Sequence, residues 1–498
     1  MNRNPKPKTQ DPRLKTQNSK PETLELTIDE ILRATGGNII QGDPGGVFRG
    51  ISADSRSISK GNLFLPIRGD RFDGHDFIAA AVRGGARGSL VQRGLEGKVK
   101  AAPGDVVLIL VDDTLKALGD IAHFWRNRFE IKVIAVTGSS GKTTTKEMIA
   151  KITGPAKKVL KSPGNFNNLI GLPLTLFEMN ADHEVAILEM GTNKRGEIER
   201  LTGIAEPDVG IITNIGPAHL KGLKSMDEIR EEKWGLFNNM KGQGVAIINN
   251  DDDFLSRTAD RWAGRTVTFG IKKDADVRAE CITKRGGSGV DFILATKGSS
   301  RKIALLTAGE HNIYNALAAA ASSLTLGIEY DLICEGLTSF KPVNGRMEIL
   351  KLRNGAFLIN DTYNANPQSV GAALNALKDM REEHGSTVIF GDMLELGDRA
   401  EELHEGVGSL MAETGVGAIF LKGDLAPAVG IGAIRRGLKN DQIYFPENNG
   451  EIAAHLRSYL KKGDWVLVKG SRKMGMEEIV REITGEFGLE NENIKIRK

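Results

Sequence analysis

Val136-Thr137-Gly138-Ser139-Ser140-Gly141-Lys142-Thr143-Thr144-Thr145 is the stretch that decides the fold. Before it runs Ile131-Lys132-Val133-Ile134-Ala135, β-branched and apolar enough for a buried strand. After it, Lys146 to Ile152 carries apolar residues at helical spacing. Strand, Gly-rich turn, helix is the context that a phosphate-binding loop requires. Gly138 and Gly141 let backbone N–H groups approach an anion, across Ser139 and Ser140, and the N-terminus of the new helix points at the same place, up to Thr144. Lys142 would neutralise the outer phosphates and the Thr143 hydroxyl would sit on a magnesium ion. The general pattern puts four residues between its glycines, and only two separate Gly138 from Gly141. A Gly-rich turn alone is just a turn. With Lys142 and Thr143 in phase, nucleotide binding is the reading.

At 498 residues the chain is too long for one core and suits roughly two to four domains. Charged residues at 26% and hydrophobic ones at 40% fit a soluble globular protein. Six basic residues against two acidic ones in the first 22 account for the net charge of +3. The remainder is close to neutral, which argues against a nucleic-acid-binding surface. That tail, residues 1-23, has almost no large apolar residues and is expected to be disordered. Cys281 and Cys334 are the only cysteines, which suits a reducing cytoplasm. No apolar run follows Met1, so no signal peptide is expected. The most apolar stretch, Ile313 to Ile328, holds Asn315, Ser322, Ser323 and Thr325 and fits a packed helix better than a membrane span.

Three α/β domains are expected. Residues 24-112 form a small one, with a helix capped by Thr27 and strands near Gly50–Arg56, Asn62–Ile67 and Val106–Val111. Residues 113-342 form the phosphate-loop domain. Strand-like runs at Val185–Leu188, Val209–Ile212 and Val245–Ile248 alternate with helical patterns, which predicts a mainly parallel, doubly wound sheet. Asp276 to Leu306, with Gly286-Gly287, suggests a hairpin excursion. Residues 343-498 repeat the alternation at Ala356–Ile359, Thr387–Phe390, Ala418–Leu421 and Trp465–Val468, as a Rossmann-like domain.

Glu189 ends an apolar strand, where an acid in an open sheet faces the ligand crevice. It is either a solvated strand end or, beside a phosphate loop, a magnesium ligand. His219 follows the next strand and is structural or a site residue. Lys233 sits beside Glu231 and Glu232, a pattern that normally means a surface ion pair. Asn312 and Asn315 share a helix face and could read an adenine edge or cap the helix. Asp361-Thr362-Tyr363-Asn364-Ala365-Asn366-Pro367 packs an acid, an aromatic ring and amides into one loop. Lys469 and Arg472 offer two more cations to an anionic ligand.

Together these stretches resemble the Mur ligases, the ATP-dependent amino-acid-adding enzymes of peptidoglycan synthesis. Their phosphate loop has the short form that Thr137 to Thr143 matches. Other matches are Asn165-Phe166-Asn167-Asn168 with Gly171 and Pro173, Glu189-Met190-Gly191, Thr213-Asn214-Ile215-Gly216 with His219, and His311-Asn312 with Asn315. Gly345-Arg346 and Asp361 to Pro367 follow in family order. Gly391-Asp392-Met393-Leu394-Glu395-Leu396-Gly397, His404 and Lys469-Gly470-Ser471-Arg472 are similar to the branch that takes a dipeptide acceptor. The Asn-Pro-Arg signature usual in the sibling that adds the third amino acid is missing.

The resemblance implies ATP and Mg2+ as cofactors, and UDP-N-acetylmuramoyl-tripeptide and D-alanyl-D-alanine as substrates, handled by a cytoplasmic monomer with no membrane span and no nucleic acid. It implies that Lys142 and magnesium on Thr143 hold the γ-phosphate, and that Glu189 and His219 hold a second magnesium. Asn312, Asn315, Arg346 and Asp361 would hold the nucleotide. Ser55 and Arg56 would meet the uridine diphosphate. Asn167, Asn168, Asn364 and Asn366 would face the substrates. Lys233 matches the family lysine that is carbamylated into a metal-ligating anion. The alternatives are the third-residue ligase, a folylpolyglutamate synthase-like relative, and a binding protein that uses the loop as a nucleotide switch.

Overall fold

Thr27 starts the first helix by closing its open end. Its hydroxyl accepts from the Glu30 N–H, and the Glu30 carboxylate accepts from the Thr27 N–H, so helix α1 (Ile28–Thr35) begins directly after strand β1 (Leu26–Thr27). The computed structural model describes residues 23–69, 72–99 and 103–490. The basic tail, residues 1–22, lies outside them. The chain divides into two units. The first comprises the described residues through Thr114 with Phe124–Phe129 and Phe177–Asp182, and the second holds the rest.

In the first unit β1 pairs with β3 (Val47–Phe48). Strands β2 (Asn38–Gln41), β4 (Ile51–Ser52), β5 (Leu63–Phe64), β6 (Gly88–Gln92) and β7 (Val107–Val111) form a sheet in the order β2-β7-β6-β5-β4. Helix α2 (Ile78–Arg83) lays Ile78 and Ala81 into a core with Phe64, Val91 and Leu108.

Helix α3 (Thr114–Arg126) leads to the second unit, whose larger sheet is built on a buried run, β8 (Lys132–Thr137). Then come α4 (Lys142–Thr153), β9 (Val159–Lys161), α5 (Gly171–Phe177), β10 (Val185–Glu189), α6 (Glu197–Ala205) and β11 (Val209–Ile212). The short α7 (Leu220–Leu223), α8 (Met226–Asn238), β12 (Val245–Asn249), α9 (Asp253–Thr258) and β13 (Arg265–Gly270) follow. Strands β14 (Val277–Lys284), β15 (Val290–Thr296) and β16 (Ser299–Leu305) complete the order β16-β15-β14-β13-β12-β11-β8-β10-β9. All its pairings are parallel except β14–β15 and β15–β16. The expected hairpin is thus three strands. Gly298, at φ 101°, turns the chain a second time where only Gly286-Gly287 was read as a turn.

Helix α10 (Glu310–Thr325) is the Ala-rich stretch. Ala316 and Ala318 to Ala321 are fully buried, small enough to let it lie against α4 and the sheet, with α11 (Tyr330–Thr338) beside them. No helix among the described residues is long and apolar enough to cross a membrane. The second sheet holds β17 (Glu348–Lys351), β18 (Phe357–Asp361), β19 (Ser386–Gly391), β20 (Ala418–Lys422), β21 (Ile443–Tyr444) and β22 (Trp465–Lys469) in the order β17-β18-β22-β19-β20-β21. Only β17 runs antiparallel to its neighbour. Helices α12 (Pro367–Arg381), α13 (Ala400–Glu413), α14 (Ala426–Arg435), α15 (Asn449–Tyr459) and α16 (Glu477–Phe487) cover its two faces.

Helix α6 begins at Gly196, which has no side chain to satisfy the first-turn N–H groups. Glu232 of α8 does that work from outside. Its buried carboxylate accepts from the N–H of Gly196 (2.6 Å) and Ile198 (2.9 Å) and from the Thr192 hydroxyl (3.0 Å). Glu232→Ala should therefore lose about 2–3 kcal/mol, since two backbone N–H donors lose their carboxylate acceptor together, while the Thr192 hydroxyl can still donate to the Lys194 carbonyl at 2.8 Å. Guanidinium denaturation measures this. A loss below about 0.5 kcal/mol, ordinary for a surface position, would mean that α6 and α8 do not depend on this bond.

Candidate active site

Strand β8 lies between β11 and β10, and the chain leaves it for β9 and β10 on one side before crossing to β11 on the other. The carboxyl end of β8 is therefore where strand order reverses and a crevice opens. Both glycines of the loop above it are demanded by space. At Gly138 (φ 143°) an added Cβ would stand 1.9 Å from the Thr213 hydroxyl, and at Gly141 (φ 81°) it would stand 2.3 Å from the Asn315 Oδ1. The Ser139 N–H donates to the Asn214 carbonyl (3.0 Å) and the Ser140 N–H to the Asn214 Oδ1 (3.0 Å). The Ser139 hydroxyl donates to the Gly216 carbonyl (2.8 Å). These bonds hold the loop's shape, so the donors left for an anion are the first-turn N–H groups of α4, at Lys142, Thr143 and Thr144, which has no side-chain cap.

Two ammonium groups converge on one carbonyl. Lys142 donates to the Gly138 oxygen at 2.9 Å and Lys233 to the same oxygen at 3.2 Å. Lys233 is 2% exposed, so it is no surface ion pair. Its neighbours are spent elsewhere, Glu231 on exposed Arg261 and Glu232 on the start of α6. Burial, with the Lys142 charge adding to it, pulls the Lys233 amine down to about 7. Burial also lowers the Lys142 ammonium.

Glu189, 1% exposed, accepts from the Thr143 hydroxyl at Oε2 (2.7 Å) and from the Asn167 amide at Oε1 (2.9 Å). Lys146, one turn beyond Lys142 and fully buried, stands 3.9 Å from it while donating to the Ser162 carbonyl (2.7 Å). Asn168 caps α5, its Oδ1 accepting from the Gly171 N–H at 2.8 Å. His219 lies at φ 56° and its Nδ1 meets the Glu395 carboxylate at 2.8 Å. Burial lowers the imidazole, while the hydrogen bond from His219 holds the Glu395 carboxyl below its usual range.

The loops of the second sheet close over this floor. Arg346 stacks on the Tyr363 ring at 4.0 Å and donates to the Thr143 hydroxyl at 2.7 Å. Asn366, which caps α12, donates to the Ser139 carbonyl at 3.2 Å. Asp361 takes the Met347 N–H (3.1 Å) and pairs with Lys469 at 2.5 Å, and Lys469 also donates to the Asn364 carbonyl (3.0 Å). Lys469 is thus a buried partner of Asp361, and exposed Arg472 pairs with Glu477, while both line the same cavity. At the start of α10 the buried Asn315 amide donates to Asn312 (3.1 Å), and the Asn312 amide donates to the Ala308 carbonyl (2.8 Å). Burial depresses the neighbouring His311 imidazole to about 4, so it is neutral at pH 7.

Lys142, Thr143, Glu189, His219, Arg346 and Asp361 line one cavity of about 1130 Å3, together with the asparagines named above, whereas Lys146 and Lys233 lie outside its wall. Ser55 and Arg56 belong to the first unit, where exposed Arg56 is paired with Asp54 at 2.7 Å. Sequence reasoning gave no role to Lys146, Glu395 or Tyr363. Helical spacing from Lys142 signals the first, and only the fold brings the other two to the site. For magnesium the residues fit in part. Thr143 and Glu189 offer hard oxygens, and magnesium is commonly held by one or two carboxylates with substrate phosphates. No group of three or more His, Cys, Asp or Glu residues placed to hold a metal occurs among the described residues, so a further anion is needed.

Residues 47–126 match the family described as Mur ligase family, catalytic domain. Residues 136–323 match the Mur ligase middle domain, and residues 345–472 the Mur ligase, glutamate ligase domain. The chain is 36% identical to the UDP-N-acetylmuramoyl-tripeptide–D-alanyl-D-alanine ligase of Bacillus subtilis (strain 168), over 88% of this chain and 93% of that one. It is 33% identical to the ligase of the same name in Escherichia coli (strain K12), over 87% and 93%. Its fold is similar to a crystal structure of MurF from Acinetobacter baumannii, with a TM-score of 0.84 and 32% identity over 93% of this chain and all of that one. It is also similar to the MurF ligase of Thermotoga maritima in complex with ADP, with a TM-score of 0.79 and 30% identity over 88% and 97%. With sequence matches along nearly its whole length and a nucleotide-loop floor of matching form, the chain belongs to the Mur ligase family.

Proposed function

We propose that this chain joins D-alanyl-D-alanine to UDP-N-acetylmuramoyl-tripeptide at the expense of ATP, in the making of peptidoglycan precursor. The observation that carries this reading is the meeting of the Lys142 loop, Glu189, Arg346 and Asp361 around one cavity, in a chain whose relatives bear that activity across most of their length.

The peptide's terminal carboxylate attacks the γ-phosphorus of ATP, the bond to the β-phosphate oxygen breaks, and ADP leaves. The amine of D-alanyl-D-alanine then attacks the acyl carbon, phosphate departs, and the amine loses its proton to form the amide. The first-turn N–H groups of α4 and the Lys142 ammonium meet the charge that develops on the transferring phosphoryl group. Arg346, Asn312, Asn315 and Asp361 orient the nucleotide. Asn167 fixes the Glu189 carboxylate. Asn168, Asn364 and Asn366, on the cavity wall, contact the substrates, and Ser55 and Arg56 meet the uridine diphosphate. Magnesium would neutralise phosphate and carboxylate charge; Thr143 would hold one ion, and Glu189, His219 and a carbamate on Lys233 would hold a second.

Buried Lys233 suits carbamate formation because the reaction needs a neutral amine, and its value of about 7 leaves one available near neutrality. Since this is a lowering from the ordinary range, the neutral fraction rises with pH through 7, from roughly one tenth at pH 6 to nine tenths at pH 8. At fixed dissolved 13C-labelled CO2, with magnesium present, a carbamate carbon resonance should therefore grow over that window. Lys233→Arg should give none, because guanidinium keeps its proton. A wild-type protein without the resonance would leave Lys233 as a buried structural lysine.

Lys142→Ala should lower kcat by on the order of 10²–10³, the usual cost of losing one preorganised donor to a transition-state charge, with an unchanged circular dichroism spectrum. Near-normal turnover in the folded variant would remove this loop from the mechanism.

Phosphate release from ATP should stay near background until UDP-N-acetylmuramoyl-tripeptide and D-alanyl-D-alanine are both present, with the pentapeptide product seen by mass spectrometry. If a single amino acid on the dipeptide-stage precursor is joined faster, the third-residue ligase is the right reading instead. Release that ignores the acceptors would point to a nucleotide switch.

A further inference from the structure

The loop between β19 and α13 carries Glu395, which the reaction as derived does not use. Its carboxylate meets the His219 Nδ1 at 2.8 Å. An exposed Glu–His contact is ordinarily worth little. This one is built from the main chain outward. The Glu395 carbonyl accepts from the Lys221 N–H at 2.9 Å, so backbone and side chain grip the same turn. Gly397 lies so close that an added Cβ would stand 3.3 Å from the Lys221 Cα. Leu403 of α13 packs against Leu220, Leu223 and Ile229 beneath. Both partners are held left-handed, His219 at φ 56° and Glu395 at φ 66°, a conformation that costs on the order of 1 kcal/mol for a residue with a Cβ and persists only where surroundings impose it.

The loop is itself anchored to the second sheet. The Met393 N–H donates to the His404 Nε2 at 2.9 Å, the Leu394 N–H to the Ser471 hydroxyl at 2.8 Å, and the Ser471 N–H to the Asp392 carbonyl at 3.1 Å. His404 is fully buried and its Nδ1 donates to the Ala400 carbonyl at 2.6 Å, which leaves Nε2 free to accept. A carboxylate can only accept, so the His219 Nδ1 carries the proton and Nε2 keeps its lone pair. That is the form in which imidazole binds a metal, and a partner on the other nitrogen is what ordinarily fixes tautomer and ring direction.

We propose that Glu395 is a positioning residue that holds His219 in its metal-binding form, so that the metal site is complete only while the Gly391–Gly397 loop is docked on His219–Leu223. This rests on the reading of His219 as a metal ligand. It makes the second sheet more than a nucleotide clamp. The Gly391–Gly397 segment, whose Leu394, Glu395 and Leu396 line the cavity, then also finishes the metal site, so phosphoryl transfer is tied to its docking.

The test is Mn2+ binding by the full chain, with a non-hydrolysable ATP analogue and UDP-N-acetylmuramoyl-tripeptide present. Free Mn2+ is read by electron paramagnetic resonance and folding by thermal melts. The wild-type protein should bind one Mn2+ at the Thr143 end and one at the His219 end. Glu395→Ala should weaken one site about 10–100-fold, the usual effect of losing a ligand's outer partner, and leave the other unchanged. Glu395→Gln, whose amide oxygen can still accept from Nδ1, should recover most of that loss. In turnover assays the apparent KM for magnesium should rise in Glu395→Ala while kcat at saturating magnesium is largely retained. His219→Ala should lose the same site outright. If it does and Glu395→Ala binds Mn2+ like the wild type, whatever its turnover, the proposal is wrong and the loop is only a structural brace. If His219→Ala keeps both sites, the metal role of His219 fails first and the proposal fails with it.

Discussion

The Gly138 carbonyl oxygen receives two lysines, and the rest of the site is arranged around that concentration of charge. With bonds of 2.9 and 3.2 Å to one atom, the Lys142 and Lys233 nitrogens are no more than about 6 Å apart. Two full charges at that separation repel by about 3 kcal/mol at an effective dielectric near 20. Burial adds to the cost, and the lowered Lys233 amine is the visible result. The Gly138 carbonyl between them accepts both N–H groups, and Gly138 packs too tightly against Thr213 to admit a side chain. Such a pair favours anions near it, and the phosphates of a nucleotide are anions of that kind.

The opposite charge is managed with equal economy. Glu189 is buried, which is costly for a lone carboxylate. It faces Lys146 directly and Arg346 through the Thr143 hydroxyl, with Asn167 on its other oxygen. Asp361 survives burial in the same way, through Lys469 and the Met347 N–H. Lys146 therefore supports the site by neutralising an acid, while Lys142 offers it a cation and Lys233 an amine lowered by burial. Buried Lys146 and Lys233 and half-buried Lys142 thus differ in what each nitrogen touches.

The sequence made most of this legible where the signal is local. The strand before Gly138, the helix after it, the strand ending in Glu189 and the Thr27 cap all rest on short-range rules, and the structure follows them. The third strand after Gly298 escaped because one glycine in a polar stretch is a weak turn signal. Local pattern alone points Lys233 to the surface because its neighbours along the chain are acids, and only the resemblance gave it a site role. Burial depends on which helix face meets the sheet, and the two acids turn out to serve Arg261 and the start of α6. The Lys469–Asp361 and Glu395–His219 contacts join residues 108 and 176 positions apart, beyond any periodicity. The resemblance to a family supplied residue roles, but it did not supply these pairings.

The two sheets of the second unit divide the labour in a way that these pairings explain. The nine-stranded sheet supplies what the phosphates need, a helix N-terminus and the lysines at the end of β8. The six-stranded sheet supplies what must be conditional: Arg346 on Thr143, Asn366 on Ser139 and Glu395 on His219. Each of these contacts crosses from a loop of one sheet to the rim of the other, and each ends on a residue that lines the cavity. Separating the sheets would remove all three at once while leaving the phosphate loop's own bonds to Asn214 and Gly216 intact. The contacts that would complete the proposed site therefore all depend on the two sheets meeting, whereas the phosphate loop's shape does not.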